Sequence, residues 1–359
     1  MILNPNSQKM VDGNVFNSNG TVENIRQTNY PFIDDITKVK FLAGNVVEVT
    51  TPLGKVVFPV ENGRSQQNTY IDKELAENEL LKQGATILAN GRIELDYIAP
   101  NTHLFWNENI FSIKDNGILS EIDFSVSPLK YLMNLQEIDT SVTFANSKVE
   151  DLGKLKTING DVSFRDSKIE SLNNLQYVKG DIVFSGSKIK SLGNLETIGM
   201  RAFFENSNVE DIGNLISIGG EANFENAKIV SLNNLKHIGG NINFKNSKVS
   251  NLGRLQTING NVNFTLSEIK HLYGIKSIAG DVSLHNSKIE DLGTLAYVGG
   301  NFWVSHSKIT SMGNLKVIKG NLDINNSNDS SAIYSLNGLL AIYGNVDLRY
   351  SKVQRLDSL

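Results

Sequence analysis

The sequence predicts a mainly β fold: a right-handed β-solenoid of about eleven twenty-residue rungs, preceded by a small mixed β-rich (α+β) module. Three observations carry that prediction. From Leu132 to Ile324 the chain repeats every twenty residues without a slip, as Leu152, Leu172, Leu232, Leu252 and Leu292 show. Within each repeat a pair such as Val162 and Phe164 alternates with polar residues at the period of a half-buried strand. Gly and Asn recur at three fixed places per repeat, where a chain must turn. So short a unit cannot bury its own apolar face and must stack on its neighbours.

Residues 1–30 are rich in Asn, Ser, Gln and Gly with few large apolar groups, and read as an arm, flexible alone or ordered by a partner. Residues 31–128 read as a β-rich attachment or capping module. In it, Val46–Val49 and Lys55–Phe58 flank Pro52-Leu53-Gly54, which predicts a hairpin. Helical spacing from Ile71 to Gln83, stopping at Gly84, predicts one helix over about residues 70–84. Ile87–Ala89 and Arg92–Leu95 flank Asn90-Gly91, the strongest short hairpin signal in the chain. Ile110 to Phe124 supplies further strands leading into the first rung. Residues 129–359 form the solenoid, in which a four-residue insertion within 328–335 delays the last rung to Leu336.

Within a rung, Ile169, Leu172, Leu175 and Val178 continue the inner lining begun by Val162 and Phe164. The first corner is Gly or Asn (Gly153, Asn173, Gly193), the second Gly (Gly160 through Gly320), the third mostly Asn (Asn146, Asn206, Asn246). All three columns are read as left-handed turns. A Ser column through Ser147, Ser167 and Ser187 reads as a hydroxyl ladder satisfying backbone groups. A nucleophile needs one activated serine beside a base, not a column of equivalent ones.

Composition restricts the function classes. There is no cysteine, hence no disulfide framework and no thiolate ligand or nucleophile. The net charge of −4 divides into −6 over residues 1–128 and +2 over the remainder, so neither part has the positive field of a nucleic-acid binder. No stretch approaches the roughly eighteen apolar residues of a membrane span, and the first ten residues lack an apolar signal core. Membrane insertion and Sec export are therefore not expected. No phosphate-binding loop or nucleophile–base motif occurs, so no cofactor is expected.

The segment Val162-x-Phe164-x-x-Ser167-x-Ile169, with Ile158-x-Gly160 before it, resembles the strand core of the leucine-rich repeat, closest to the receptor L-domain variety. The resemblance covers residues 129–359 and implies a leucine-rich-repeat-like solenoid; such solenoids bind proteins, glycans and peptides alike. Ser stands where that family usually has Asn, and the cysteine-bonded caps of many extracellular members are absent. Asn68-Thr-Tyr-Ile-Asp-Lys-Glu-Leu-Ala-Glu77 is similar to stretches in bacteriophage fibre proteins.

Candidate contacts lie on the outward strand columns, which vary most along the stack. Phe203 and Trp303 are large aromatics there, the anchors that binding surfaces use. Met200 replaces a corner Gly beside Phe203, which leaves open whether Phe203 tips inward. His285 and His306 fall on rungs next to Trp303, but two His without a third ligand do not define a metal site. Arg349 and Tyr350 present further outward groups on the last rung. Lys148, Lys168, Lys188, Lys228, Lys248, Lys288, Lys308 and Lys352 make a column that reads as a solvated, edge-protecting face or as a stripe for an anionic polymer. Glu150, Glu170, Glu210 and Glu290, two positions on, are expected to offset part of its repulsion. Glu205 and Glu225 would sit about 5 Å apart, the separation of a retaining glycosidase pair. Arg201, Glu221 and Lys245 explain them equally as a surface charge network. Leu356 and Leu359 are expected at an end-on interface with a second copy or a capping partner.

The function expected is therefore non-enzymatic, structural and recognitional. The first setting is a bacteriophage virion, as a fibre-like or decorating appendage assembled in the host cytoplasm. There residues 1–128 attach to other virion or cell-surface proteins while the solenoid spaces or binds. The alternative is a bacterial interaction protein, cytoplasmic or at the surface by non-Sec export, holding a protein or glycan on its outward face. A carbohydrate-active solenoid enzyme is a third class.

Overall fold

The structure, a computed structural model, describes residues 129–132, 134–325 and 333–356, and within the first 128 residues the strands named below with short flanking segments. The repeats form a parallel β-solenoid of about eleven turns of about twenty residues each, and no helix occurs among the described residues. The helix expected over 70–84 lies outside those residues, as do Asn90, Gly91 and Leu359. The chain divides into two units, residues 1–159 and residues 160–359.

In the first unit, Lys9–Val11, Asn14–Phe16 and Val22–Asn24 form a three-stranded antiparallel sheet within the segment read as an arm. Val46–Thr51 pairs antiparallel with Gly54–Glu61, closing the expected hairpin at Thr51 opposite Gly54. Lys38–Leu42 adds to its other edge. Thr86–Ile87 and Ile93–Leu95 form the second expected hairpin. Beyond it pairing turns parallel: Ile93–Leu95 aligns with Phe111–Ile113, then Leu135–Ile138, then Thr157–Ile158. Glu121–Asp123 starts the other face by pairing parallel with Ser141–Thr143.

In the second unit every rung supplies one short strand equivalent to Val162–Ser163 and one equivalent to Tyr177–Val178. The first kind forms an unbroken parallel column in register twenty residues apart, as Ile182 opposite Ala202 and Val282 opposite Phe302 show. The second kind is interrupted between His237–Ile238 and Thr257–Ile258, where the Arg254 N–H donates to the Leu235 carbonyl. Leu322 pairs with Val346, 24 residues on, whereas the Ser335–Arg355 bridge is again twenty apart. The insertion therefore lies between Asp323 and Ser335.

The inner lining follows the expected columns. Val262, Phe264, Ile269, Leu272, Ile275 and Ile278 are all buried, with Ser267 among them. The Phe column makes a continuous stack from Phe164 to Phe264, with centroids 5.0–5.8 Å apart and planes within 15°. That interval is close to the spacing of paired strands, so ring contact and backbone pairing demand the same rise. The Ser column differs from expectation. Ser147 and Ser287 accept the N–H two residues on, but the hydroxyls of Ser167, Ser187, Ser207, Ser247, Ser267 and Ser307 have no hydrogen-bond partner. Ala227 fills the same place. The column is thus a row of small buried side chains, and size is what its corner demands.

Two of the three corners are left-handed, as read. The first has φ of 42–65° from Gly153 to Gly313, except on the rung where Tyr273 takes the place and Gly274 turns at 87°, and its N–H is bonded by the residue two before: Asp151 to Gly153 at 2.7 Å, Ser191 to Gly193 at 3.2 Å. The third has φ of 50–70° from Asn146 to His306 and again at Tyr350. The middle Gly column is not left-handed. Close approach requires Gly there: a Cβ on Gly280 would lie 2.3 Å from Asn261 Oδ1 and 2.7 Å from the Gly260 carbonyl carbon. The crowding comes from the backbone of the preceding rung and, at Gly180, Gly260, Gly280 and Gly300, also from a ladder of Asp and Asn side chains. Each accepts the N–H of its successor: Asp161 from Asp181 at 2.7 Å, Asn241 from Asn261 at 2.8 Å, Asn261 from Asp281 at 2.7 Å, Asp281 from Asn301 at 2.6 Å. Arg201 donates to Asp181 Oδ1 at 2.8 Å but cannot accept through its guanidinium, so the ladder stops there and resumes at Asn241.

Two glycines separate these causes. At Gly313, φ is +55° and a Cβ meets nothing within 4 Å, so Gly313→Ala is expected to cost about 1 kcal/mol of backbone strain. Gly280→Ala must displace the neighbouring rung and is expected to cost about 3 kcal/mol or more. Urea unfolding of the two variants checks the order.

Candidate functional site

The outward strand face is built by residues equivalent to 163 and 165. Much of its polarity serves the backbone. Asn223, Asn243, Asn263, Asp323 and Asp347 each accept the N–H two residues on, at 2.8–3.1 Å. Such Asx turns hold the chain as it leaves the strand. Trp303 occupies this same column, held in register by Ser283 below and Asp323 above.

Around Trp303 the face is hollowed on two sides. One cleft of about 530 Å³ is lined by Thr265, Ser283, His285, Trp303, Ser305, His306, Asp323 and Asn325. A second, of about 300 Å³, is lined by Asn241, Asn243, Asn261, Asn263, Asp281, Ser283 and Trp303, with strand residues Ile242 and Val262 behind. Trp303 and Ser283 border both. Thr265 Oγ1 and Ser283 Oγ are 3.2 Å apart, and Ser305 Oγ donates to Asp323 Oδ1 at 3.4 Å, so the polar walls are already tied together.

His306 is the unusual member. It sits at the left-handed corner with φ of 59°, where most rungs carry Asn. Its ring meets His285 edge-on at 5.3 Å, and both of its ring nitrogens are buried without a hydrogen-bond partner. The sequence pointed to His285, His306 and Trp303, and the structure brings all three to one cleft. It did not name Asp323, Asn325, Ser283, Ser305 and Thr265 as contacts, whose signal was their place in the same outward columns on the rung of Trp303 or within two rungs of it. Among the described residues no group of three His, Cys, Asp or Glu could hold a metal ion. None contains a helix long and apolar enough to cross a membrane.

The other named residues lie elsewhere. Phe203 projects outward, between Val183 and Asn223 in the column, while its neighbours Ala202 and Phe204 are buried. Met200 therefore does not tip it inward; the Met200 side chain is itself 54% exposed. Arg201 lies over the Phe203 ring, 5.5 Å from its centroid, and pairs with Asp181 at 2.6 Å. Five rungs, about 24 Å, separate Phe203 from Trp303. Tyr350 is exposed, and Arg349 pairs with Asp347 at 2.7 Å; neither lines the Trp303 cleft. Leu356 is half exposed, and on the same last rung Val346 is 43% exposed where its equivalent Leu322 is fully buried.

Lys148, Lys168, Lys188, Lys228, Lys248, Lys288 and Lys308 are exposed and Lys352 half-buried, in a column interrupted by Asn208 and Glu268. Lys228 donates to Asn208 at 2.7 Å, and Lys288 pairs with Glu268 of the preceding rung at 2.6 Å, rather than with Glu290. Compensation thus runs along the column. Glu205 and Glu225 are held by different partners: Ser185 donates to Glu205 at 3.1 Å, while Lys245 and Asn243 hold Glu225 at 2.9 and 3.1 Å. The second oxygen of Glu205 is buried without a partner.

Two carboxylates are shifted. Burial pushes Asp181 up, but hydrogen bonds from the Arg201 side chain and backbone outweigh it and hold the group below its usual range. The side chain and then the backbone N–H of Arg349 lower Asp347 to about 2. A depressed folded value means that this pair's contribution is fully present above the unfolded carboxylate range near 3.8 and is lost as pH falls through about 2. Carbon-13 titration should find Asp347 at about 2 in the native chain and raised in Arg349→Met, yet still below 3.8 because the backbone N–H of residue 349 is retained. Comparison with protein-family models, curated proteins and solved structures finds no match to this chain, so the solenoid stands on its own geometry and neither the leucine-rich-repeat nor the phage-fibre resemblance is carried by a relative.

Proposed function

We propose that this is a non-enzymatic structural and recognition protein, in which stacked rungs support an outward face that holds a partner at Trp303. The observation that carries the reading is the placement of that indole. It stands on a strand fixed in register from both sides, between two hollows whose walls are already hydrogen-bonded. Aromatic anchors on rigid elements give affinity at low entropic cost. The repetitive remainder of the chain, closed by backbone and Asx bonds at one interval, supplies stiffness and spacing.

The setting we propose first is a bacteriophage virion, with residues 1–128 attaching the protein and the solenoid displaying or spacing the Trp303 face. The absence of cysteine and the wealth of Asn at corners and ladders suit a rod that assembles without oxidation. The second reading, a bacterial interaction protein, uses the same face and is favoured by the cleft itself. Light scattering on the full chain separates the two: a defined oligomer is expected for the appendage, whereas a monomer across the micromolar range overturns it and leaves the interaction protein. In either setting Trp303→Ala is expected to weaken partner capture about tenfold or more while leaving the unfolding midpoint unchanged.

A further inference from the structure

We propose that the face around Trp303 binds a saccharide, with one sugar ring stacked on the indole and its hydroxyls held by Ser283, Ser305, Asp323 and Asn325. The proposal rests on the recognition reading above and names its ligand class.

The chemistry of the walls makes the choice. The larger cleft offers hydroxyls from Thr265, Ser283 and Ser305, an amide from Asn325, a carboxylate from Asp323 and two imidazoles. Donors and acceptors are mixed at close quarters, which suits vicinal hydroxyls because each can give and take a hydrogen bond. No Lys or Arg lines either hollow and each holds an Asp, so a phosphate or sulfate group would find hydrogen-bond donors but no Lys or Arg to offset the repulsion of the carboxylate. The larger cleft contains no aliphatic side chain, so it does not suit the apolar anchors of a helical peptide. The one broad apolar surface is Trp303, and an indole face matches the C–H face of a pyranose.

The extent fits as well. The clefts measure about 530 and 300 Å³ and share Trp303 and Ser283, so a chain of more than one sugar can run across the indole. Both values fall in the range of small-molecule sites, about 300–1,000 Å³. In the second hollow Asn243, Asn263 and Asp281 already accept backbone N–H groups, so that hollow offers mainly apolar surface beside the indole.

His306 is a second, independent observation. A neutral imidazole carries one donor and one acceptor, and leaving both buried and unpartnered costs free energy. The ring is also held at a left-handed backbone position that Asn286 occupies on the preceding rung. Both nitrogens are closed to solvent as the ring stands, so a sugar hydroxyl that bonds one of them does so by turning the imidazole toward the cleft it lines.

The test is saturation-transfer NMR on the full chain with a panel of methyl glycosides and disaccharides in the gluco, galacto, manno, N-acetylglucosamine and rhamno series, with choline and inorganic phosphate as controls. Transfer to one face of at least one sugar is expected, with affinity weakened about tenfold or more in Trp303→Ala. His306→Asn, which installs the residue found at Asn286, is expected to weaken sugar binding while raising the unfolding midpoint. No transfer to any sugar, transfer to choline alone, or equal transfer in native and Trp303→Ala chains overturns the proposal. If sugars fail while Trp303→Ala still loses partner capture, the saccharide assignment falls and the recognition reading stands. If capture is also unchanged, both fall.

Discussion

The twenty-residue interval is the constraint from which the rest of this structure follows. Strand N–H groups, Asx side chains and Phe rings each have their own optimal distance to a neighbour, and all three are satisfied by one rung stacked directly on the next. Ring centroids near 5 Å apart and backbone pairs of the usual strand spacing leave no room for a half-step. A slip of one residue would turn Val262 and Phe264 outward and Asn263 inward, exposing the core and burying an amide. The middle Gly column is a consequence of the same constraint, since the backbone of the preceding rung, joined at several rungs by its Asx side chain, occupies the space that a Cβ would need.

Such a fold leaves chemistry few places to reside. Inward columns are committed to the core, the left-handed corners to Gly and Asn, and the Asx column to the backbone of the next rung. Only outward positions can vary freely, and even there Asn223, Asn243 and Asn263 are recruited to close Asx turns. The Trp303 cleft arises where large and titratable side chains displace these space-fillers on adjacent rungs. A second irregularity, at Met200, Arg201 and Phe203, interrupts the ladder yet keeps strand register, because the backbone pairs of Ala202 and Phe203 are intact on both sides, while Arg201 pairs back to Asp181. The stack tolerates local chemistry provided the backbone interval is held.

Most of the fold was legible because a period repeated many times removes ambiguity that a single segment would retain. Val162 and Phe164 alone could be any short strand; their recurrence names the inside. The middle Gly column was assigned the wrong cause, since close approach and positive φ leave the same residue in the sequence. The Asx ladder was missed although its signal is present: Asp161, Asp181, Asn241, Asn261, Asp281, Asn301 and Asn321 share one position, and only a three-dimensional stack shows that their side chains point along the column. The site was half legible. Trp303, His285 and His306 stood out as residue types, but the strain and unsatisfied nitrogens of His306 depend on backbone and burial that no sequence displays. The helix expected over residues 70–84 rests on a local pattern without repetition, and the described residues do not reach it.

The most direct test of the one-interval account is excision. Removing Asn241–Gly260 takes out one whole rung and rejoins Gly240 to Asn261, so Phe224 meets Phe264 and Glu221 meets Asn261 in the old register. Removing only Asn241–Ser250 shifts every later rung by half a turn. The account predicts native-like circular dichroism and one cooperative unfolding transition for the first variant, and loss of both for the second. Equal tolerance of the two deletions, or collapse of both, would contradict it.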